Sequence, residues 1–232
     1  ERVWEPGLAK HLNQAGVKYT ILDDIHFRYA GLEESQLNGY YVTEDQGFRI
    51  ALFPIAKKLR YTIPFADPEE TIAYLRSLAT ESGNSIAVYA DDGEKFGVWP
   101  KTYEHCFVDG WLERFLTMLS NNLDWIEMTT FSEALAAVPA KGRVYLPTAS
   151  YSEMNEWAMP VSAIERYEDF VHKLKDLKLY EEFEPFVKGG FWRNFQTKYV
   201  ESNNLHKRML IVSELLENPR SSIPPAKFEQ AR

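Results

Sequence analysis

Apolar positions along this chain switch repeatedly between a helical period and strict alternation, and the switches predict its elements. Residues 8–15 read as a short helix that closes at Gly16, and 17–22 (Val-Lys-Tyr-Thr-Ile-Leu) as a strand ending in Asp23-Asp24-Ile25-His26-Phe27. A second strand is expected over 48–53, bounded by Gly47 and Pro54. A helix over 68–80 would set Ile72, Leu75, Leu78 and Ala79 on one face before Gly83-Asn84 breaks it. Residues 85–90 form the next predicted strand, with Asp91-Asp92-Gly93-Glu94 at its carboxyl end. A helix with the stripe Phe107, Trp111, Phe115 and Met118 follows, then a strand over 125–129 and a helix over 132–138.

Strands alternating with helices predict an α/β fold on a parallel sheet, and the polar groups gathered at strand carboxyl ends mark where such folds build sites. Beyond about Tyr151 the pattern is helical, with Ile164, Tyr167, Val171 and Leu174 in one stripe and 206–216 making another. The expected organisation is therefore a sheet-bearing part over 1–150 and a helical subdomain over 151–232. The run Asn218-Pro219-Arg220-Ser221-Ser222-Ile223-Pro224-Pro225 reads as a linker or interrupted connection. There is no internal repeat or low-complexity tract.

With 232 residues, 45% of them hydrophobic and 26% charged, the chain has the composition of an ordinary globular protein with a sizeable core. No apolar run approaches the roughly 20 residues of a membrane helix, so a membrane partner is not expected. A formal charge of -8 and a sequence pI of about 5.3 oppose binding to a phosphate backbone, so neither is nucleic acid. The lone Cys106 lies in a helical stretch and is most simply a small buried hydrophobe. The missing zinc pattern, sequon and signal peptide favour a cytoplasmic setting. The chain opens on a glutamate in mid-motif, which reads as a fragment.

Two acidic clusters carry the candidate chemistry: Glu1-Arg2-Val3-Trp4-Glu5-Pro6, and residues 89–100 (Tyr-Ala-Asp-Asp-Gly-Glu-Lys-Phe-Gly-Val-Trp-Pro). Each sets carboxylates beside a basic residue and a tryptophan, which suits sugar cleavage: acid/base groups, a counter-charge and a flat apolar face for a pyranose ring. By spacing alone, Glu1 and Glu5 could equally form the acidic first turn of a helix, and Asp91-Asp92-Gly93 an Asx-rich turn. Alternation past a strand sends Asp91 and Asp92 to opposite sides, so that one of them faces a ligand. A like-charged neighbourhood would keep one acid protonated, as a proton donor must be, although Lys95 opposes this. Gly93–Gly97 lacks the spacing and the Lys-Ser/Thr end of a phosphate loop. Asp23, Asp24 and His26 are legitimate metal ligands by type, but a polar cluster ordering the strand ends explains them as well, and no metal or other cofactor is expected.

Both clusters resemble glycoside hydrolase family 57, the α-amylase and 4-α-glucanotransferase family. The first, followed by Ala15-Gly16-Val17 and by Tyr19-Thr20, Asp23-Asp24 and His26-Phe27, is similar in order and spacing to the family's nucleophile region, and Asp91 through Pro100 to its acid/base region. The segments 150–157, 189–195 and 201–208 resemble the helical region that follows the barrel in the family's glucanotransferases. The aromatic residue that normally precedes the nucleophile is absent, as are the family's amino-terminal histidine motif, early glutamate motif and later carboxyl-terminal motif.

The resemblance implies part of a (β/α)7 barrel continued by a helical subdomain. It implies Glu1 as nucleophile and Asp92 as acid/base, with Asp91, Glu94, Trp99, His26 and Asp24 as substrate-binding residues. Trp99 is the expected stacking surface for a glucose ring, with Tyr103, Trp157 and Trp192 ranked below it. The implied activity is retaining transfer of α-1,4-glucan segments, with α-1,4-glucans and maltooligosaccharides as partners. Hydrolysis as an α-amylase and silent glucan binding through the aromatics are the alternatives. As a piece of such an enzyme the chain alone is expected to be inactive.

Overall fold

The opening motif is extended rather than helical. β1 (Val3–Trp4) pairs antiparallel with a late strand, Val3 opposite Ser150 and Trp4 opposite Ala149, and the first helix, α1 (Leu8–Gln14), starts only after Pro6. Pairing buries Trp4 in a cluster with Ala9, Leu22 and Phe27, and burying an indole outweighs the weak preference for an acidic first turn. The computed structural model describes residues 2–217, so Glu1 and the expected linker over 218–225 lie outside the described residues.

β2 (Tyr19–Asp23) leads straight into α2 (Asp24–Arg28). β3 (Tyr41–Asp45) and β4 (Phe48–Ile55) then form an antiparallel hairpin, with Asp45 opposite Phe48. The turn is Gln46-Gly47, both at positive φ (51° and 84°), as a two-residue hairpin turn requires. The sheet order is β2-β4-β3 followed by the short strand Gly142–Arg143, with β2 parallel to β4. The expected all-parallel sheet is thus a mixed one, because the turn reverses β3 into β4. β4 runs past the expected boundary to include Pro54, which is tolerated because the antiparallel ladder ends at Tyr41 opposite Leu52.

β4 is covered on both faces, which is why its sequence reads as a continuous apolar run. Ile50 and Leu52 pack in the cluster that holds Trp4, and Ala51, Phe53 and Ile55 in one with Tyr40, Val88 and Ala134. α3 (Lys57–Thr62) leaves its carboxyl end, followed by α4 (Pro68–Leu78). α4 turns Pro68 and Thr71 into the interior, with Tyr74 and Leu75 packed beside a third cluster; Ala79 is exposed.

The run 85–90 is extended but not a full strand. It meets the sheet at one parallel bridge, Val88 to Ile55, and through Ala56 N–H donating to the Val88 carbonyl (2.9 Å) and Ile86 N–H to that of Asn38 (3.1 Å). The predicted stripe from Phe107 is interrupted. One π-helical turn (Glu104–Val108) ends before Gly110, whose φ of 72° separates it from α5 (Trp111–Ser120). Trp111 and Phe115 are buried, whereas the change of phase leaves Phe107 50% exposed against Tyr103. No strand forms over 125–129; Trp125 donates through Nε1 to Asn122 and lies under the Arg76 guanidinium instead. α6 (Phe131–Ala137) starts at a Thr130/Glu133 capping box, and β5 (Gly142–Arg143) and β6 (Ala149–Ser150) complete the strands.

The described residues divide into two compact units, the first running to Tyr151 and including Glu182–Val187, the second made of Ser152–Glu181 and the residues from Lys188 on. Helices follow: α7 (Ser152–Trp157), α8 (Val161–Asp176), α9 (Tyr180–Phe183), α10 (Asn194–Lys198) and α11 (Val200–Glu217). On α8 the predicted stripe is the half-buried one, whereas α11 exposes Leu205, Met209, Val212 and Leu215. No helix among the described residues is long and apolar enough to cross a membrane.

Candidate active site

Parallel pairing sets the direction of the site. Because β2 runs parallel to β4, and Val88 joins Ile55 in the same sense, Asp23, the start of α3 and the loop after Ala90 all emerge at one edge of the sheet. These are the carboxyl ends of the strands, where side chains are freed from the ladder and loops can converge.

The two adjacent aspartates divide as alternation demands. Asp91's side chain is 1% exposed; it pairs with Lys95 Nζ, and its Oδ1 lies 3.2 Å from both Nε and Nη2 of Arg60. It was expected among the sugar-contacting residues, but an aspartate enclosed by two cations is an internal anchor. Asp92 is the opposite case. Its side chain is 56% exposed, and its one ion contact among the described residues is Arg60 Nη2 at 4.0 Å. Its backbone N–H donates to Asp91 Oδ1 (2.9 Å), so the buried aspartate fixes the peptide that carries the open one.

Lys95, on the short 3-10 turn Gly93–Phe96, is buried and also donates to the Arg60 carbonyl (2.6 Å). Glu94 is exposed, and its carbonyl accepts from the N–H groups of Val98 (2.9 Å) and Trp99 (3.1 Å), curling the loop back. That presents Trp99, 39% exposed, with its ring stacked on Phe65 and Lys95 Nζ 5.7 Å from its centroid. Tyr103 is exposed nearby in sequence, where Gly97, at φ 142°, approaches its ring and that of Phe107.

Asp23 pairs with two arginines. Its Oδ2 lies 3.0 Å from Arg2 Nε and its Oδ1 3.5 Å from Arg60 Nη1. Burial works against the charge of Arg60, but Asp91 and Asp23 outweigh it and hold the guanidinium above its ordinary range. Asp24, half-buried at the start of α2, is pushed by burial up to about 6, against the pull of Lys57 and with Asp23 and Glu184 adding to the rise. His26 is fully buried; burial lowers its imidazole to about 4 and keeps it neutral. Its Nδ1 is 3.2 Å from the Asp23 carbonyl. Expected among the substrate-binding residues, His26 is enclosed at the strand end.

No three His, Cys, Asp or Glu side chains converge as metal ligands among the described residues. Sequence reasoning missed two members of this edge. Arg60 links Asp23, Asp91 and Asp92, and Glu184, from a 3-10 turn (Glu184–Phe186), receives Arg28 and, at 3.0 Å, Lys57 Nζ. A lone arginine between a strand end and Pro64 was the only available sign of the first. Of the second-rank aromatics, Trp157 is 44% exposed and Trp192 half-buried, and both belong to the second unit. Chemically, the edge offers an open carboxyl on a fixed backbone, a flat aromatic face seven residues further on, and a buried charge network beneath.

Residues 1–147 match the family model for glycosyl hydrolase family 57, and residues 190–230 the model for the alpha-amylase/4-alpha-glucanotransferase middle domain. The chain is 48% identical over 231 residues to alpha-amylase 1 of Dictyoglomus thermophilum, covering 99% of this chain and 34% of that one. It is 50% identical over 218 residues to an alpha-amylase of Pyrococcus horikoshii, with 94% and 34% covered. The crystal structure of 4-alpha-glucanotransferase from Thermococcus litoralis superimposes with a TM-score of 0.89 at 47% identity, over 94% of this chain and 34% of that one. The chain thus spans about a third of the length of the curated relatives it matches.

Proposed function

Since this chain belongs to glycosyl hydrolase family 57, we propose that the protein carrying it transfers α-1,4-glucan segments between maltooligosaccharides with retention of configuration. Glu1 attacks the anomeric carbon while Asp92 protonates the departing glycosidic oxygen; Asp92 then takes the proton of the incoming acceptor hydroxyl as that oxygen displaces Glu1. The observation that carries this reading is the division of labour between Asp91 and Asp92. A general acid/base must be reachable by solvent and substrate, and of the pair Asp92 is the exposed one, on a backbone its neighbour holds still. Trp99 offers its face to the sugar, and Glu94 and Asp24 supply polar contacts at the same strand edge. The sheet is read as part of a (β/α)7 barrel; the consecutive parallel positions of β2, β4 and the run through Val88 support this.

Hydrolysis uses the same carboxylates with water as acceptor, and the alpha-amylase names of the Dictyoglomus and Pyrococcus relatives favour it as the second reading. Incubating the complete protein with maltotriose separates the two. Transfer yields a ladder of longer oligomers, and hydrolysis yields glucose and maltose alone. Unchanged maltotriose would leave only a glucan-binding role.

A further inference from the structure

An unbroken line of opposite charges joins the two segments that carry the candidate carboxylates. It starts at Arg2, next in sequence to Glu1, whose Nε lies 3.0 Å from Asp23 Oδ2. Asp23 Oδ1 lies 3.5 Å from Arg60 Nη1, and Arg60 Nε and Nη2 each lie 3.2 Å from Asp91 Oδ1. Asp91 Oδ1 accepts the N–H of Asp92 at 2.9 Å. Each anion sits between two cations, Asp23 between Arg2 and Arg60, and Asp91 between Arg60 and Lys95.

We propose that Arg60 is a positioning residue that fixes the placement of Asp92 by bridging Asp23 to Asp91. The inference rests on the assignment of Asp92 as acid/base given above. A general acid/base must be held within roughly 0.5 Å of its productive geometry. Loops at strand ends do not achieve this unaided. A guanidinium can, because its planar fork engages two carboxylates at fixed angles, whereas an ammonium of the same charge acts as a single point. Burial adds stiffness, since the side chains of Asp91 and Lys95 are almost wholly enclosed and neither can trade its partner for water.

The test separates positioning of the acid from general support of the fold. When the glycosidic C–O bond breaks, the leaving oxygen needs the proton of Asp92; when a C–F bond breaks, fluoride departs without one. Misplacing Asp92 should therefore slow cleavage of maltotriose far more than that of α-maltosyl fluoride, whereas a loosened fold slows both. Single-turnover rates on both donors would be measured for the complete protein and for Arg60→Gln, Arg60→Lys and Asp92→Asn. Arg60→Gln should lose roughly 10²-fold on maltotriose with the fluoride rate within about fivefold, and Arg60→Lys should recover only part of the loss. Equal losses on the two donors in Arg60→Gln, with Asp92→Asn still selective, would overturn the inference alone. An Asp92→Asn variant without donor selectivity would overturn the acid/base assignment, and the inference with it. If Arg60→Gln does not fold, Arg60→Lys decides: parental rates on both donors would show that the forked bridge is not required.

Discussion

Phe65 and Trp99 stack with ring planes 18° apart and centroids 6.1 Å from one another, although they come from different parts of the chain and both stay partly exposed. One face of Trp99 is thus occupied by Phe65 while the residue remains open to solvent. Two aromatic rings left partly exposed forgo much of their burial energy, which suits a surface kept for a ligand. Trp99→Ala should raise KM for maltooligosaccharides by about tenfold, the removal of one stacking face costing roughly 1–2 kcal/mol, with Tm nearly unchanged. Parallel losses in melting temperature and unaltered kinetics would make Trp99 a packing residue.

Trp111 provides the contrast. It is fully buried, stacks on Phe115 at 4.9 Å and donates from Nε1 to the Ala66 carbonyl at 2.7 Å. Trp111→Ala should cost about 3–5 kcal/mol of stability, measured by denaturant unfolding, because it leaves both a cavity and an unpaired carbonyl.

Much of this contrast was legible in the sequence, since Trp111 lies on a helical stripe and Trp99 in a loop of polar residues. The same periodicity located β2, the start of β4 and the half-buried face of α8. It failed where pairing depends on backbone sign rather than on side chains. The hairpin of β3 and β4 turns on Gln46 at positive φ, a conformation that glutamine does not advertise. Residues 125–129 alternate like a strand yet find no partner, and side-chain bonds to Asn122 hold Trp125 instead. Alternation correctly separated Asp91 from Asp92 but could not say which faced inward. That choice belongs to Arg60, 31 positions before Asp91 and 37 after Asp23, a proximity that only the parallel pairing of β2 and β4 creates.

Asp24 and His26 should tilt stability in opposite directions with pH. Asp24 rises from 3.8 to about 6, so between these values the native state keeps a proton that the unfolded chain has lost, and stability falls as pH rises. His26 falls from 6.5 to about 4, so there the unfolded chain holds the extra proton, and stability rises with pH. The two slopes largely cancel in the parent. Relative to the parent, Asp24→Asn should gain on the order of 2–3 kcal/mol as pH rises from about 4 to 6, and His26→Gln should lose its relative advantage over the same span. Urea unfolding at several pH values reads both; a difference independent of pH would refute the assignment for that residue.

Glu184 should matter to stability although no sequence pattern marks it. Its carboxylate is nearly enclosed and receives Arg28 and Lys57, and Lys57 is exposed enough for water to replace it. The Arg28 contact therefore carries most of the effect. Glu184→Gln keeps the shape but removes the charge, and should destabilise the protein by roughly 2 kcal/mol, the worth of a charged hydrogen bond in a part-buried setting. Arg28→Gln should cost a similar amount and the double variant little more than either, because both remove one interaction. Additive losses in that cycle would show that the pair does not act as a unit.

In the second unit the demand is for absent side chains. Gly190 N–H donates to the Asn155 carbonyl at 2.6 Å, and a Cβ built on Gly189 would stand 2.5 Å from that same oxygen and 2.8 Å from its carbon. Such an approach lies well inside van der Waals contact, and its target is backbone on α7, which cannot swing aside as a long side chain could. Gly189 is not at positive φ, so the requirement is for space and not for a left-handed conformation. Gly189→Ala should therefore push the segment off α7, break the Gly190 hydrogen bond and cost about 1–3 kcal/mol, as overpacking typically does. Amide hydrogen exchange would read it directly: Gly190 should lose protection while amides in β4 keep theirs. Unchanged protection at Gly190 would mean that the backbone relaxes without cost and that glycine is not needed there.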